Sequence, residues 1–244
     1  MNKKISLFAT TFLFFISLTA TTPPCFFIEG ATGVGKTTFV QLLEKNLPNV
    51  TAIYEPVETF FDVNGAGNML ELFWSNPQRW TFTTNAYISL MHQQAAETRI
   101  KNTSASVAFV DRSLYADCYV YGKMAHLQGT MNNLEWEILQ QLVTWLGTNG
   151  TAGPRGFIYL QTSPQTALDR VRARSRAGEE VLSLQYEEQL DTFYRKWFVE
   201  QKDIPSSLAQ IPVLIIDATQ NFKDDPVVQQ QCIDQVKAFI EKLL

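Results

Sequence analysis

Cysteine is scarce in this chain: Cys25, Cys118 and Cys232 are the only three in 244 residues, and they lie far apart. An odd number without paired spacing points to neither a disulfide framework nor a zinc site, and a reduced compartment is the simple reading. Basic excess is lacking as well. The formal charge is −4, which argues against a general nucleic-acid binder, since such proteins usually show a basic face. There is no internal repeat and no low-complexity run. With 45% hydrophobic residues, the chain is long enough for one α/β domain with a full core, and two domains are not required.

The N-terminus stands apart. Met1-Asn2-Lys3-Lys4 is followed by an apolar stretch from Ile5 to Ala20, then Thr21-Thr22-Pro23-Pro24. A basic start, an apolar middle and a small residue near the end are the pattern of a secretory signal. Leu18, two residues before Ala20, departs from the usual cleavage site, and the lack of Arg makes a poor amphipathic transit peptide. The stretch is short for a membrane span and carries Ser and Thr. Residues 1–23 are therefore read as a hydrophobic leader or signal-like segment ahead of one domain at residues 24–244. Any membrane contact would run through that segment. Export, an organelle, a tether or a start placed too far upstream stay open beside the cytoplasm.

Gly30-Ala31-Thr32-Gly33-Val34-Gly35-Lys36-Thr37 fills every fixed position of the phosphate-binding loop pattern G-x-x-x-x-G-K-[ST]. Its context agrees. Cys25–Ile28 before it is an apolar run suited to a buried strand, and Thr38 to Leu43 after it has helical spacing. Strand, glycine turn and helix aim backbone N–H groups at phosphate oxygens. Gly30, Gly33 and Gly35 let the backbone wrap close to a polyphosphate. Lys36 supplies positive charge, and the Thr37 hydroxyl suits Mg²⁺.

Further strand-like runs are Ala52–Tyr54, Val107–Val110, Phe157–Leu160 and Val213–Ile216. Helical periodicity marks Trp80 to Ile100, Leu114 to Leu127, Leu134 to Leu146 and a final helix after Pro226. The alternation predicts a P-loop NTPase-type α/β fold: a parallel five-stranded sheet with helices on both faces. Ligands bind beyond the carboxyl ends of such strands. That edge would gather Glu55-Pro56-Val57-Glu58, Asp111-Arg112-Ser113, the arginines at 170, 172, 174 and 176, and the loop from Asp217 to Phe222. A polyphosphate loop, carboxylates and several arginines together suit phosphoryl transfer, which depends on positioning and charge neutralisation.

From about Cys25 to its end the chain resembles the deoxynucleoside kinases, the family of deoxycytidine, deoxyguanosine and mitochondrial thymidine kinases and the insect multisubstrate enzyme. The motifs stand in order: Ile28-Glu29-Gly30, Glu55-Pro56-Val57, Pro77-Gln78-Arg79-Trp80-Thr81-Phe82, Asp111-Arg112-Ser113, the arginines, Ile211-Pro212-Val213-Leu214 and Asn221-Phe222-Lys223-Asp224. The resemblance implies ATP and Mg²⁺ as cofactors, a deoxynucleoside as substrate in nucleotide salvage, a homodimer joined through helices, and an arginine-rich lid. It implies Glu55 as the general base on the substrate 5′-hydroxyl, Arg112 on the 5′ oxygen and the moving phosphoryl group, and Asp111 with Thr37 on Mg²⁺. Residues 30–38, with Ala31, Thr32, Val34 and Thr38 beside the fixed positions, would hold the phosphates. Arg170, Arg174 and Arg176 would clamp them, and Asn221 and Phe222 would sit by the adenine.

The base pocket departs from the family pattern. Asn85 stands where members usually have Gln, with the same amide on a shorter stem. Phe60 replaces Trp, and Trp74 replaces the Tyr on the sugar 3′-hydroxyl, leaving Glu188 as the second 3′ contact. Where cytosine- and purine-preferring members pair Arg with Asp, this chain has His92 and Asp117. Asp117 tilts the expectation toward deoxycytidine or a purine deoxynucleoside. Two alternatives remain: a thymidylate kinase-like enzyme acting on a monophosphate, and a nucleotide-binding module without catalysis. The missing Arg beside Tyr54-Glu55-Pro56-Val57 disfavours the first, and the joint presence of Lys36, Thr37, Glu55, Asp111 and Arg112 disfavours the second.

Overall fold

The computed structural model describes residues 22–176 and 178–244, so nearly all of the leader-like segment lies outside the described residues. Five strands form one parallel sheet in the order β2-β3-β1-β4-β5. They are β1 (Cys25–Glu29), β2 (Val50–Ile53), β3 (Val107–Asp111), β4 (Pro154–Gln161) and β5 (Val213–Asp217). β1 is central, with Phe27 paired to Val110 on one side and Phe157 on the other. The chain builds outward from β1 first toward β2 and β3, then toward β4 and β5. The loop after β1 thus lies where the winding reverses, the usual place for a ligand crevice.

Both faces of the sheet are covered, which is why β1 and β3 are apolar up to their last residues, Glu29 and Asp111. The Phe26, Ile28, Phe109, Ile158 and Leu160 side packs on α1 (Lys36–Asn46) and on a C-terminal helix. The Phe27, Ile53, Val110, Phe157 and Tyr159 side faces the longer helices. These follow in chain order: α2 (Glu58–Phe61), α3 (Met69–Ser75), α4 (Pro77–Lys101), α5 (Leu114–Ala116), a π-helical stretch (Asp117–Gly122), α6 (Lys123–Leu127), α7 (Asn133–Asn149), α8 (Pro164–Arg174), α9 (Leu184–Phe198), α10 (Ser206–Ala209) and α11 (Pro226–Leu243).

Local chemistry sets the helix starts. Asn76 accepts from the Arg79 amide ahead of Pro77, Asn132 and Glu135 form a reciprocal capping box at α7, and Ser163 and Asp225 cap α8 and α11 ahead of Pro164 and Pro226. The run expected as one helix from Leu114 to Leu127 is interrupted by the π-helical stretch. It carries Asp117 and Tyr121, and such bulges concentrate at functional sites.

α4 has a buried face that is polar rather than apolar. Thr81, Thr84, Asn85, Ser89, His92 and Gln93 are all buried, whereas Leu90 is 44% exposed. Of these, Thr81, Thr84 and Asn85 line one cavity. The N-terminal part of that face is therefore shaped by the site, and α4 packs on α7, whose Leu134, Ile138 and Trp145 are exposed.

Candidate functional site

The loop between β1 and α1 closes around its own backbone. Gly30, Gly33 and Gly35 have φ of 146°, 82° and 107°, in the region that favours glycine. A Cβ on Gly33 would lie 2.3 Å from the Ala167 carbonyl oxygen of α8, so the loop and that helix approach as closely as glycine permits. Lys36 is folded back over the loop, its Nζ donating to the carbonyls of Gly30 at 2.8 Å and Ala31 at 3.0 Å. Burial, and then Arg112, push its ammonium down to about 8 despite the surrounding carboxylates. Phosphate would replace those two carbonyls and restore the charge.

Thr37 Oγ1 donates to Asp111 Oδ2 at 2.6 Å, and Asp111 Oδ1 is buried without a partner. A hydroxyl and an unmatched carboxylate oxygen form an all-oxygen donor pair, which suits Mg²⁺ with its remaining positions filled by water and phosphate. Burial, and then nearby Glu55, raise the Asp111 carboxyl, and a cation there would reverse that.

Arg112 has a left-handed backbone, φ 68°, a conformation costing a non-glycine residue on the order of 1–3 kcal/mol. The turn swings its guanidinium over the Tyr121 ring, 4.8 Å from the centroid, and puts Nε 3.3 Å from Glu55 Oε1. Glu55 also faces His92 Nε2 at 3.4 Å, and His92 Nδ1 lies 2.6 Å from Asp117 Oδ2. Burial alone would raise the Glu55 carboxyl. Arg112 and then His92 outweigh it and hold Glu55 well below the usual carboxylate range. Burial opposes charge on His92 too, but Asp117 and then Glu55 lift it to about 10. The row Asp117–His92–Glu55–Arg112 therefore alternates in sign.

These groups border a cavity of about 400 Å³, lined by Thr32, Gly33, Gly35, Lys36, Thr37, Thr38, Glu55, Phe60, Trp74, Asn85, Arg112, Asp117, Arg174 and Arg176 among others. Gly30, Ala31 and Val34 form the back of the loop, and Asp111 and His92 stand behind Thr37 and Glu55. Asn85 Nδ2 donates to the Thr81 carbonyl, so the amide as oriented offers its oxygen to the cavity. Trp74 stands edge-on to Phe73 and Tyr186.

Three expectations are corrected, those for Glu188, Phe222 and Arg170. Glu188 is exposed on α9, whose inner face carries Glu187, Leu190, Tyr194 and Trp197. One residue along a helix turns about 100°, which takes Glu188 out to solvent. The carboxylate at the rim is instead Glu179, which accepts from Arg174 Nε at 2.8 Å and lies 3.7 Å from Arg176. Phe222 is buried edge-on to Phe39, directly beneath Gly35, so its ring packs as a core aromatic that supports the loop from below. Asn221 is exposed, its side chain accepting from the Lys223 and Asp224 amides. Arg170 points away from the cavity, bonding the carbonyls of Val34 and Ala218, and so ties the loop to the segment after β5.

Several residues of the site escaped the sequence reading. Tyr121, Tyr186 and Glu179 line the cavity. Glu29 and Glu187 are fully buried, each pushed up to about 7 by burial, and neither Glu187 oxygen has a partner. The Glu29 beside Gly30 was visible as part of a motif, but nothing in the spacing signalled that it would be buried on Ser113.

The deoxynucleoside kinase family model matches residues 26–241. Deoxycytidine kinase 2 of Gallus gallus is 30% identical over 236 residues, covering 87% of this chain and 89% of that one. Human deoxycytidine kinase is 30% identical over 240 residues, 88% and 90% of the two chains. The mitochondrial deoxyguanosine kinase of Xenopus laevis is 26% identical over 237 residues, 88% and 89%.

Proposed function

This chain belongs to the deoxynucleoside kinase family, and from that premise we propose that it moves the γ-phosphoryl group of ATP, with Mg²⁺, to the 5′-hydroxyl of deoxycytidine or a purine deoxynucleoside. The observation that carries this reading is Glu55 beside Arg112, at the junction of the cavity with the phosphate loop. Glu55 accepts the hydroxyl proton as the bond to phosphorus forms. Its low basicity is tolerable because the proton acquires acidity only as that bond forms, and reach then matters more than pKa. Arg112 stabilises the charge on the moving group. Lys36 and the glycine loop hold the outer phosphates, and Arg174 and Arg176 exchange Glu179 for phosphate when the rim closes. Mg²⁺, where Thr37 and Asp111 would hold it, neutralises phosphate charge.

A carboxylate at this point would repel an incoming monophosphate, so a neutral hydroxyl is the better acceptor. The Asn85 oxygen supports a base carrying an exocyclic amino group, and the deoxycytidine and deoxyguanosine kinases among the relatives support the same class. The apolar outer face of α4 and α7 supports a homodimer through those helices. Among the described residues no helix is long and apolar enough to cross a membrane. Dependence on ATP favours the cytoplasm, with residues 1–23 as the segment that would redirect the chain.

Glu55→Gln keeps the shape and removes the base. It should retain nucleoside binding by calorimetry within about threefold while kcat falls on the order of 10²–10⁴-fold, the worth of a positioned base. Turnover within a factor of two of the parent would remove Glu55 from that role.

A further inference from the structure

Neither ring nitrogen of His92 is left for a nucleobase. Nδ1 meets Asp117 Oδ2 at 2.6 Å, and Nε2 faces Glu55 Oε1 at 3.4 Å as an ion pair, without a hydrogen bond. The ring is 5% exposed, does not line the cavity, and stands edge-on to Phe60 with centroids 5.9 Å apart. Resting on the reading of Glu55 as the base, we propose that His92 is a positioning residue of phosphoryl transfer: anchored by Asp117, it holds the Glu55 carboxylate in place. Asn85 is then the polar group left to read the base.

The groups facing this pair come from several elements. His92 meets Asp117 from the π-helical stretch and Glu55 from the loop after β2, with the uncharged Phe60 ring from α2. Glu55 meets Arg112 at the end of β3, and it feels the charges of Lys36 on α1 and Asp111 on β3. Between two carboxylates an imidazole is cationic, with Nδ1–H donating to Asp117 and Nε2–H turned to Glu55 as an ion pair. Arg112 lies against the same Glu55 oxygen. Two cationic groups from different elements converge on one atom, so the base is held by a pair, and losing one leaves the carboxylate free to swing about the other. Asp117 gives Oδ2 to His92 while still lining the cavity.

The test compares His92→Gln, His92→Arg and the double variant His92→Gln/Asp117→Asn with the parent. The double variant removes the buried charge that the single glutamine change would leave unpaired. Turnover of deoxycytidine with Mg-ATP is followed from pH 4.5 to 9. The expected result is a kcat lower by about 10²-fold, the cost of a displacement near 1 Å, with KM for deoxycytidine within about threefold. The parent should show no acid limb from Glu55 in this window, and the glutamine variants should bring one up toward its acid end, since an opposite charge has left the neighbourhood of Glu55. His92→Arg should return that limb toward the parent. A higher KM with kcat and limb unchanged would make His92 a base reader and overturn the proposal, as would no kinetic change at all.

A second readout needs no change at His92. The chain has two histidines, the other being His126, so imidazole ¹⁵N resonances can be assigned by one His126 substitution. His92 should remain doubly protonated through pH 8 and titrate lower in Glu55→Gln. A neutral His92 at pH 7 also overturns the proposal. If Glu55→Gln retains turnover, the underlying reading of the base fails. An inactive Glu55→Gln with unchanged His92 variants sinks this inference alone.

Discussion

Replacing Gly33 by alanine should separate the phosphate loop from the helix that carries the lid arginines. At φ 82° an L side chain is strained, which costs on the order of 1–2 kcal/mol. The new Cβ would stand 2.3 Å from the Ala167 carbonyl oxygen and 2.7 Å from Val171 Cγ2. The first neighbour is helix backbone and does not turn aside. Ordinary contact requires the loop and α8 to part by about 1 Å, and surrendered packing adds about 1–3 kcal/mol. Together the destabilisation is roughly 2–5 kcal/mol, a fall in Tm of about 5–15 °C for a domain of this size. A shift of that order in a phosphate cradle costs about 10²-fold in kcat/KM for ATP. Thermal unfolding and initial rates at varied ATP measure both, and calorimetric binding of deoxycytidine, whose pocket lies beyond the loop, serves as the control. Parental Tm and parental kcat/KM for ATP would refute the close approach on which this reasoning rests.

Two further outcomes follow from buried charge and exposed apolar surface. Glu187 is fully buried, has no partner for either oxygen and is raised to about 7. An acid whose folded pKa is raised favours folding while protonated and loses that advantage as pH climbs from about 4.5 through 7. Glu187→Leu should therefore stabilise the protein by on the order of 1–3 kcal/mol at pH 8 and by less at pH 5. Melting curves at both pH values decide it, and equal gains would contradict the sign. Trp145 on α7 is 63% exposed beside other apolar residues of that helix. Trp145→Glu should convert the proposed homodimer to a monomer in analytical ultracentrifugation, whereas an unchanged sedimentation coefficient would place any dimer contact elsewhere.

How much of this was legible before the fold was known depends on how local each signal is. The glycine loop, its strand and its helix are contiguous in the chain, and the structure has them where the spacing put them. The α7 and α11 helices followed from apolar period and from Pro226. The polar face of α4 was harder, because Thr81, Thr84 and Asn85 look like a solvated surface until the cavity they border is known. The π-helical stretch depends on hydrogen bonds shifting register within an otherwise helical pattern, which composition does not mark. Glu187 and Glu188 are indistinguishable in isolation, and only the set of α9 on its neighbours decides which one turns inward. Arg170 was grouped with Arg174 and Arg176 by spacing, yet it faces the carbonyls of Val34 and Ala218. Phe222 was the opposite case, an aromatic read as a ligand contact that packs beneath the loop instead.

The central claim is phosphoryl transfer from ATP to a deoxynucleoside hydroxyl at the Glu55–Arg112 pair. It is tested most directly by incubating the full chain with Mg-ATP and, in turn, deoxycytidine, deoxyadenosine, deoxyguanosine, thymidine, their ribonucleoside forms and thymidine monophosphate, and identifying the products by mass. The account predicts 5′-monophosphates, foremost from deoxycytidine or a purine deoxynucleoside. Turnover of thymidine monophosphate alone, or ATP binding with no product from any acceptor, would contradict it.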